Sequence, residues 1–340
     1  MSSSIPKTYT AASFEEQGSK LTIVQKDIKQ PGKGQVLVKV LACGVCHSDA
    51  AVGSKQLPVK LPLVPGHEII GDVVAVGDDV TRFKTGARVG GAWHGGHDGT
   101  CKSCQKGFFQ TCENAYINGV LGDGGYAEYV LLRQEAAVPI PDGIDPVEAA
   151  PLLCAGVTVF NAIRQMKVLH GSRVAVQGLG GLGHLAVQYA NKMGYEVVAL
   201  SSGSDKKDFA TKLGAHHYID TKANDAVKEL QNLGGADLVV ATAPNAEAIG
   251  PLVGGLAAGG KLLVLAPVGP ISFDSLTMVI KGASVHGWPS GHAQDSEEAI
   301  AFAQRHGVKC LVEAFPLKDA QKAFDHMLSG KVRFRSVLTM

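Results

Sequence analysis

The chain has 340 residues, a length that fits about two domains of ordinary size. Hydrophobic residues make up 45% and charged residues 19%, enough apolar material for packed cores and unlike a disordered chain. Thirty-two Lys and Arg against 31 Asp and Glu leave a net charge of +1. That balance argues against nucleic acid or an anionic membrane as the partner, since both call for a concentrated basic field.

Residues 1–20 carry neither an apolar h-region nor an Arg-rich amphipathic pattern, so no targeting peptide is expected. No run reaches the ~18 consecutive apolar residues of a membrane-spanning helix. The seven cysteines stand at 43, 46, 101, 104, 112, 154 and 310. An odd number, partly in C-x-x-C spacing, favours metal ligation over a disulfide framework and a cytoplasmic location.

In chain order, the first ~150 residues read as β-rich. Val36–Val40, Ile69–Val76 and Tyr126–Leu132 are short β-branched, aromatic and apolar runs bounded by Gly, Pro and Asp. Between the last two lies an irregular stretch, Gly90 to Asn118, which holds three cysteines. A loop that long is functional or pinned.

After Pro151 the rhythm changes. Arg173–Gln177, Glu196–Leu200, Tyr218–Asp220, Leu238–Thr242, Lys261–Ala266 and Ala283–His286 form six apolar strands. Helix-period segments such as Leu182–Met193 and Ala223–Leu233 separate most of them. This alternation predicts an α/β unit, a parallel sheet with helices on both faces. The tail from Asp295 returns to helix and ends in an apolar strand, Arg335–Thr339.

Three constellations carry chemistry. Gly178-Leu-Gly-Gly-Leu-Gly183 follows a strand and opens a helix, the context in which Gly178, Gly180, Gly181 and Gly183 form a dinucleotide-binding turn. The helix N-terminus there supplies amides and positive dipole to phosphates. Cys46, His67 and Cys154 offer two thiolates and an imidazole, a set that suits Zn²⁺ and leaves its fourth position open. Cys101, Cys104 and Cys112 form a metal clip. Asp98 continues its spacing as the fourth ligand, with His94 and His97 as nearby competitors.

The segments GVCHSD, PGHE, the cysteine loop, LLCAGVTVF and GLGGLG, in this order, resemble the zinc-dependent medium-chain alcohol dehydrogenases, most closely the shorter microbial tetrameric branch. The resemblance implies a GroES-like β-rich catalytic domain over 1–152 and a Rossmann doubly wound parallel sheet over 153–287. Residues 288–340 would return to the catalytic domain. It makes Cys46, His67 and Cys154 the catalytic zinc ligands and gives the clip a structural zinc. Asp49 matches a carboxylate that orients the ligating histidine, and Glu68 an acid that approaches the metal. Ser48 matches the hydroxyl that bonds the reacting oxygen and passes its proton toward the nicotinamide ribose. His47 and Arg335 match pyrophosphate contacts, Thr158 a neighbour of the nicotinamide ring, and Trp93 an aromatic lining the substrate pocket.

Two positions depart from the family pattern. Ala51 stands where a histidine often ends the proton chain, and Asp98 where the clip usually begins with cysteine. Cys43 reads as a packed residue and Cys310 as an inert core thiol.

The expected activity is hydride transfer between a nicotinamide cofactor and a primary or secondary alcohol, or its aldehyde or ketone. The alternatives are a polyol or sugar-alcohol dehydrogenase and a catalytically silent nucleotide-binding homologue. A homo-oligomer, tetramer or dimer, is the expected assembly. The acid that usually follows the second Rossmann strand is replaced by Ser201 and Ser202, with Lys206 and Lys207 beyond. That turn favours NADP over NAD, despite the nearby Asp205.

Overall fold

The computed structural model describes residues 5–54, 56 and 59–340. It resolves two compact units, one comprising Met1–Cys154, Gly291–Arg305 and Lys309–Met340, the other Ala155–Ser290 with His306–Val308. The breaks fall after Cys154 and Ser290, a few residues beyond the sequence-based boundaries.

The first unit opens with an antiparallel pair, β1 (Thr8–Phe14) and β2 (Leu21–Asp27). The long β3 (Gln35–Gly44) follows, buried along most of its length by Val36, Leu37, Val38 and Val40. It feeds directly into α1 (His47–Gly53). Antiparallel β4 (Ile69–Val76) and β5 (Arg88–Gly91) extend the sheet. The stretch expected to be irregular carries a small ladder, β6 (His94–Gly96) with β7 (Tyr116–Ile117), and between them the short α2 (Lys102–Gln105). β8 (Tyr129–Arg133) pairs with β3, and β9 (Val138–Pro139) with β5.

The strand expected at Tyr126 begins only at Tyr129. Residues 126–128 bond instead to β1, where the Ala12 amide donates to the Tyr126 carbonyl and the Glu128 amide to the Thr10 carbonyl. A proline-led turn, α3 (Pro146–Ala149), capped by the Asp145 carboxylate, leads to Cys154.

The second unit begins with α4 (Ala155–Gln165) and alternates strand with helix. In order these are β10 (Arg173–Gln177), α5 (Gly183–Lys192), β11 (Glu196–Ser201), α6 (Lys207–Leu213), β12 (His217–Asp220) and α7 (Ala226–Asn232). β13 (Ala236–Ala241), α8 (Ala246–Ile249), β14 (Leu256–Val264), α9 (Ser275–Lys281) and β15 (Ser284–Gly287) complete it. Among the described residues the sheet has the order β12-β11-β10-β13-β14-β15, with all pairs parallel. This is the doubly wound order whose direction reverses between β10 and β13, the place where such sheets bind ligands.

Its strands are near-continuous apolar runs because both faces are covered. Val197, Val198, Ala199 and Leu200 are all buried. α7 starts three residues later than the periodicity implied, because Asp225 is the residue whose carboxylate caps the amides of Val227 and Lys228.

The chain then returns through α10 (Ala293–His306), β16 (Val312–Pro316), α11 (Ala320–Leu328) and β17 (Arg335–Thr339). β17 lies parallel to β16 and antiparallel to β3, pairing Val337 with Gly44 and Leu338 with Cys43. It thereby closes the sheet of the first unit beside α1. No single helix among the described residues is long and apolar enough to cross a membrane.

Candidate catalytic centre, cysteine clip and dinucleotide cradle

Cys46 is the N-cap of α1, and the third residue of that helix, Asp49, reaches back to accept from the Cys46 amide at 2.9 Å. The same buried carboxylate accepts from the Tyr126 hydroxyl at 2.8 Å and the Gly66 amide at 3.2 Å. Its Oδ1 also lies 3.2 Å from Nδ1 of the fully buried His67. Asp49 therefore braces both the helix start and the imidazole, which also meets the Cys46 thiol.

Cys154 arrives from a short 3-10 turn, with its sulfur 3.8 Å from that of Cys46. The ligating atoms of Cys46, His67, Glu68 and Cys154 all lie within 4.8 Å of one another. A disulfide would need about 2.05 Å between the sulfurs. Two thiolates each about 2.3 Å from one tetrahedral ion stand about 3.8 Å apart. The donor set and its spacing fit zinc.

The electrostatics follow from burial. The hydrogen bond from Cys154 holds the Cys46 thiol well below its ordinary value against the cost of burial, and the positive charge of Arg335 adds to this. Cys154 rises correspondingly through the same bond and its own burial. The two sulfurs thus titrate as a pair rather than as independent thiols. Burial would depress His67, but the Asp49 charge and contact lift it well above the ordinary imidazole value.

Burial pushes Glu68 up to about 8, with Arg335 opposing. The Arg335 guanidinium is 3.2 Å from Glu68 Oε1 and donates to the Val45 carbonyl at 3.3 Å. Its Nη2 is the atom that faces Glu68, while Nε makes no hydrogen bond in the protein, a buried donor of the kind an anion would use.

Around these groups, the Ser48 hydroxyl is 3.7 Å from the Cys46 sulfur and half-buried, while His47 at the head of α1 is exposed. Trp93 packs edge-on against His67, with ring centroids 4.9 Å apart. Two contributors escaped the sequence reading. Tyr126 was read only as strand, and Gly44 only as part of a motif. A Cβ at Gly44 would stand 1.8 Å from Glu68 Oε2, so this glycine makes room for the buried acid.

The clip is a separate cluster. One oxygen of Asp98 and the sulfurs of Cys101, Cys104 and Cys112 lie within 4.8 Å of one another. The Cys101 and Cys112 sulfurs are 3.9 Å apart, again the spacing of thiolates on one ion. The competitors His94 and His97 are not in it. They bond each other, Nε2 to Nδ1, at 3.1 Å, and burial pushes His94 down to about 3, keeping it neutral. Hydrogen bonds from Asn114, Thr100 and Cys101 hold the Asp98 carboxyl well below the usual range. Burial lifts Cys104 to about 12, helped by the neighbouring sulfurs. Cys43 and Cys310 are buried and belong to neither ligand cluster.

In the second unit, the turn after β10 assigns each glycine a task. Gly178 has φ +94°, a left-handed conformation that favours glycine, and its Cβ would meet Ala243 at 2.7 Å. Gly183 presses α5 onto the turn, where a Cβ would be 1.9 Å from the Gly178 carbonyl. Gly180 faces open space, with nothing within 4 Å of its Cβ position. Gly181 lies half-buried beside it. A tight turn, an open approach and a close helix contact are what a pyrophosphate cradle requires.

At the end of β11, Ser201 is buried and hydrogen-bonded to Tyr218. This shifts the hydroxyl open to a phosphate from Ser201 to the exposed Ser202. Lys206 caps α6, and Lys207 is exposed beside it. Asp220 braces the turn by accepting from the Gly203 amide at 2.8 Å. Thr158 on α4 donates to Ser290 at 2.9 Å.

Two family models match the chain, the alcohol dehydrogenase GroES-like domain over residues 32–142 and the zinc-binding dehydrogenase over residues 181–305. An alcohol dehydrogenase of Penicillium expansum is 58% identical over 340 residues, covering 100% of both chains. The chain belongs to the zinc-dependent medium-chain alcohol dehydrogenases.

Solved members of this alcohol dehydrogenase family share the whole architecture. Acetophenone reductase from Geotrichum candidum, in complex with NAD, superposes with a TM-score of 0.87 at 27% identity, covering 99% of each chain. The Helicobacter pylori protein CAD, complexed with NADP(H), gives 0.85 at 26% identity, again over 99% of each. The chain is accordingly a GroES-like unit joined to a Rossmann unit. It catalyses NAD(P)-dependent interconversion of alcohols and carbonyl compounds as a zinc-binding dehydrogenase.

Proposed function

We propose that Cys46, His67 and Cys154 form the reaction centre of an alcohol dehydrogenase or carbonyl reductase that prefers NADP. The observation that carries this is the 3.8 Å pair of sulfurs beside an imidazole whose Nδ1 is held by Asp49. When bound there, zinc supplies Lewis acidity to the substrate oxygen and the nicotinamide supplies the hydride exchange.

The chain's own residues do the rest. Asp49 keeps the His67 proton on Nδ1, so that Nε2 stays available and the ring cannot turn. The Ser48 hydroxyl hydrogen-bonds the reacting oxygen and relays its proton, releasing its own as it takes up that of the alcohol during oxidation and the reverse during reduction. Ala51 carries no titratable group, so beyond Ser48 and the nicotinamide ribose the proton leaves through water or another group. Trp93 gives the substrate an apolar wall and keeps water from the His67 ring. Arg335, whose Nε has no hydrogen bond in the protein, and His47 serve as pyrophosphate contacts of the first unit, and the open Gly180 turn as that of the second.

NADP preference rests on the turn after β11. It offers the exposed Ser202 hydroxyl and the ammonium groups of Lys206 and Lys207 in place of an acid, a composition that accepts a 2′-phosphate. Turnover of an alcohol and carbonyl panel with both cofactors tests the reading. A higher kcat/KM with NADPH than NADH is expected, and the reverse overturns the preference.

A second copy of the chain is the proposed partner. β15 ends the Rossmann sheet as an open edge among the described residues, and Leu276, Val279 and Ile280 on neighbouring α9 are 65–79% exposed. An open edge beside an apolar helix pairs with its own kind about a two-fold axis. Sedimentation of Val279→Glu should report a smaller species than the parent. Seven free cysteines, three of them in a metal clip, suit the reducing cytoplasm.

A further inference from the structure

An ionised carboxylate has about four acceptor directions, and three of those on Asp98 are taken within its own loop. Oδ1 accepts from the Thr100 amide at 2.7 Å and the Cys101 amide at 3.0 Å. Oδ2 accepts from Asn114 Nδ2 at 2.7 Å. By this count the fourth direction lies on Oδ2, and one oxygen of Asp98 stands within 4.8 Å of the three sulfurs.

We infer that Asn114 is the positioning residue that makes Asp98 a one-oxygen ligand of the clip. The two amides fill Oδ1 and so exclude chelation through both oxygens, and Asn114, by occupying one direction of Oδ2, stops the carboxylate from turning outward and leaves one lone pair for the ion. The backbone repeats the grip. The Asn114 amide donates to the Cys112 sulfur at 3.3 Å and the Asp98 amide to the same sulfur at 3.5 Å. Residue 114 thus touches two ligands, one through its side chain and one through its backbone, and a side-chain truncation removes only the first. A thiolate at position 98 has no carboxylate plane to orient. The dependence on Asn114 therefore belongs to the aspartate that this chain carries.

The inference rests on the reading of these four side chains as a metal clip, and the test separates the two. Zinc-loaded protein is mixed with a chromophoric chelator, and release is followed per chain, with the Cys46 centre as internal reference. Asn114→Ala should release the clip metal about tenfold faster than wild type, the low end for a residue that orients a ligand. In an Asp98→Cys background the same substitution should change nothing. With Co²⁺ in the clip, Asn114→Ala should shift the d–d bands while the sulfur-to-metal charge-transfer intensity stays that of three thiolates.

Equal release rates in wild type and Asn114→Ala overturn the positioning role. So does an equal acceleration in the Asp98→Cys background, which would place the effect on the loop rather than on the carboxylate. A wild-type protein holding one metal per chain, unchanged by Cys104→Ser, overturns the clip itself and the inference with it.

Discussion

Asp49 Oδ1 and His67 Nδ1 stand 3.2 Å apart, both side chains buried, and the same carboxylate caps the helix that begins at Cys46. One acid therefore orients two candidate ligands. Asp49→Asn keeps the shape but loses the charge, and should weaken metal binding at this centre roughly 10–100-fold. Metal titration read alongside kcat checks it, since a variant with wild-type affinity would reduce Asp49 to a helix cap.

Cys154→Ser removes one of the two sulfurs at 3.8 Å. The variant should lose about one metal per chain and its turnover, while still binding dinucleotide, because the cradle lies in the other unit. Cofactor binding by fluorescence and elemental analysis separate these effects. Turnover near wild type would refute the ligand assignment.

For the clip, Cys104→Ser should lower the metal content from about two per chain to about one and reduce the melting temperature, without acting on the chemistry directly. Limited proteolysis should then cut within residues 98–114. An intact loop with unaltered metal content would count against a clip.

Two glycines of the cradle should part company. Gly183→Ala forces a methyl to 1.9 Å from the Gly178 carbonyl and should destabilise the protein by roughly 3 kcal/mol. Gly180→Ala meets nothing within 4 Å, so the fold should keep its melting temperature while dinucleotide affinity falls. Equal affinity in Gly180→Ala and wild type would move the pyrophosphate elsewhere.

Ser202→Asp places a negative charge at the exposed end of the turn after β11. It should raise the NAD-to-NADP ratio of kcat/KM about tenfold or more, by repulsion of a 2′-phosphate. An unchanged ratio would show that the phosphate, if bound, is read at another place.

The legible parts of this molecule were those written in short range. The Gly178–Gly183 turn is six consecutive residues between a strand and a helix, and β4, β10 and β17 match their expected bounds because apolar runs mark them. The clip cysteines declared themselves by spacing, but spacing alone left Asp98, His94 and His97 in competition. In the structure Asp98 stands with the three sulfurs while the two histidines bond each other. Tyr126 could not be read, because its hydroxyl meets Asp49 across 77 positions of sequence. The β1–β2 pair was missed for a local reason. No tight-turn dipeptide joins its strands, and β2 is largely exposed, so it lacks a clean alternation.

β17 carries Arg335 to Glu68 and pairs Val337 with Gly44, two residues before Cys46. That strand leaves the ribosome only after the whole Rossmann unit has been made. The sheet beneath the metal ligands is therefore completed late, by a segment almost 300 residues downstream of its partner. A nascent chain can finish its nucleotide-binding half while its metal-binding half still lacks a strand. The order of synthesis thus lets the nucleotide-binding half fold before the last strand beside the metal-binding half exists.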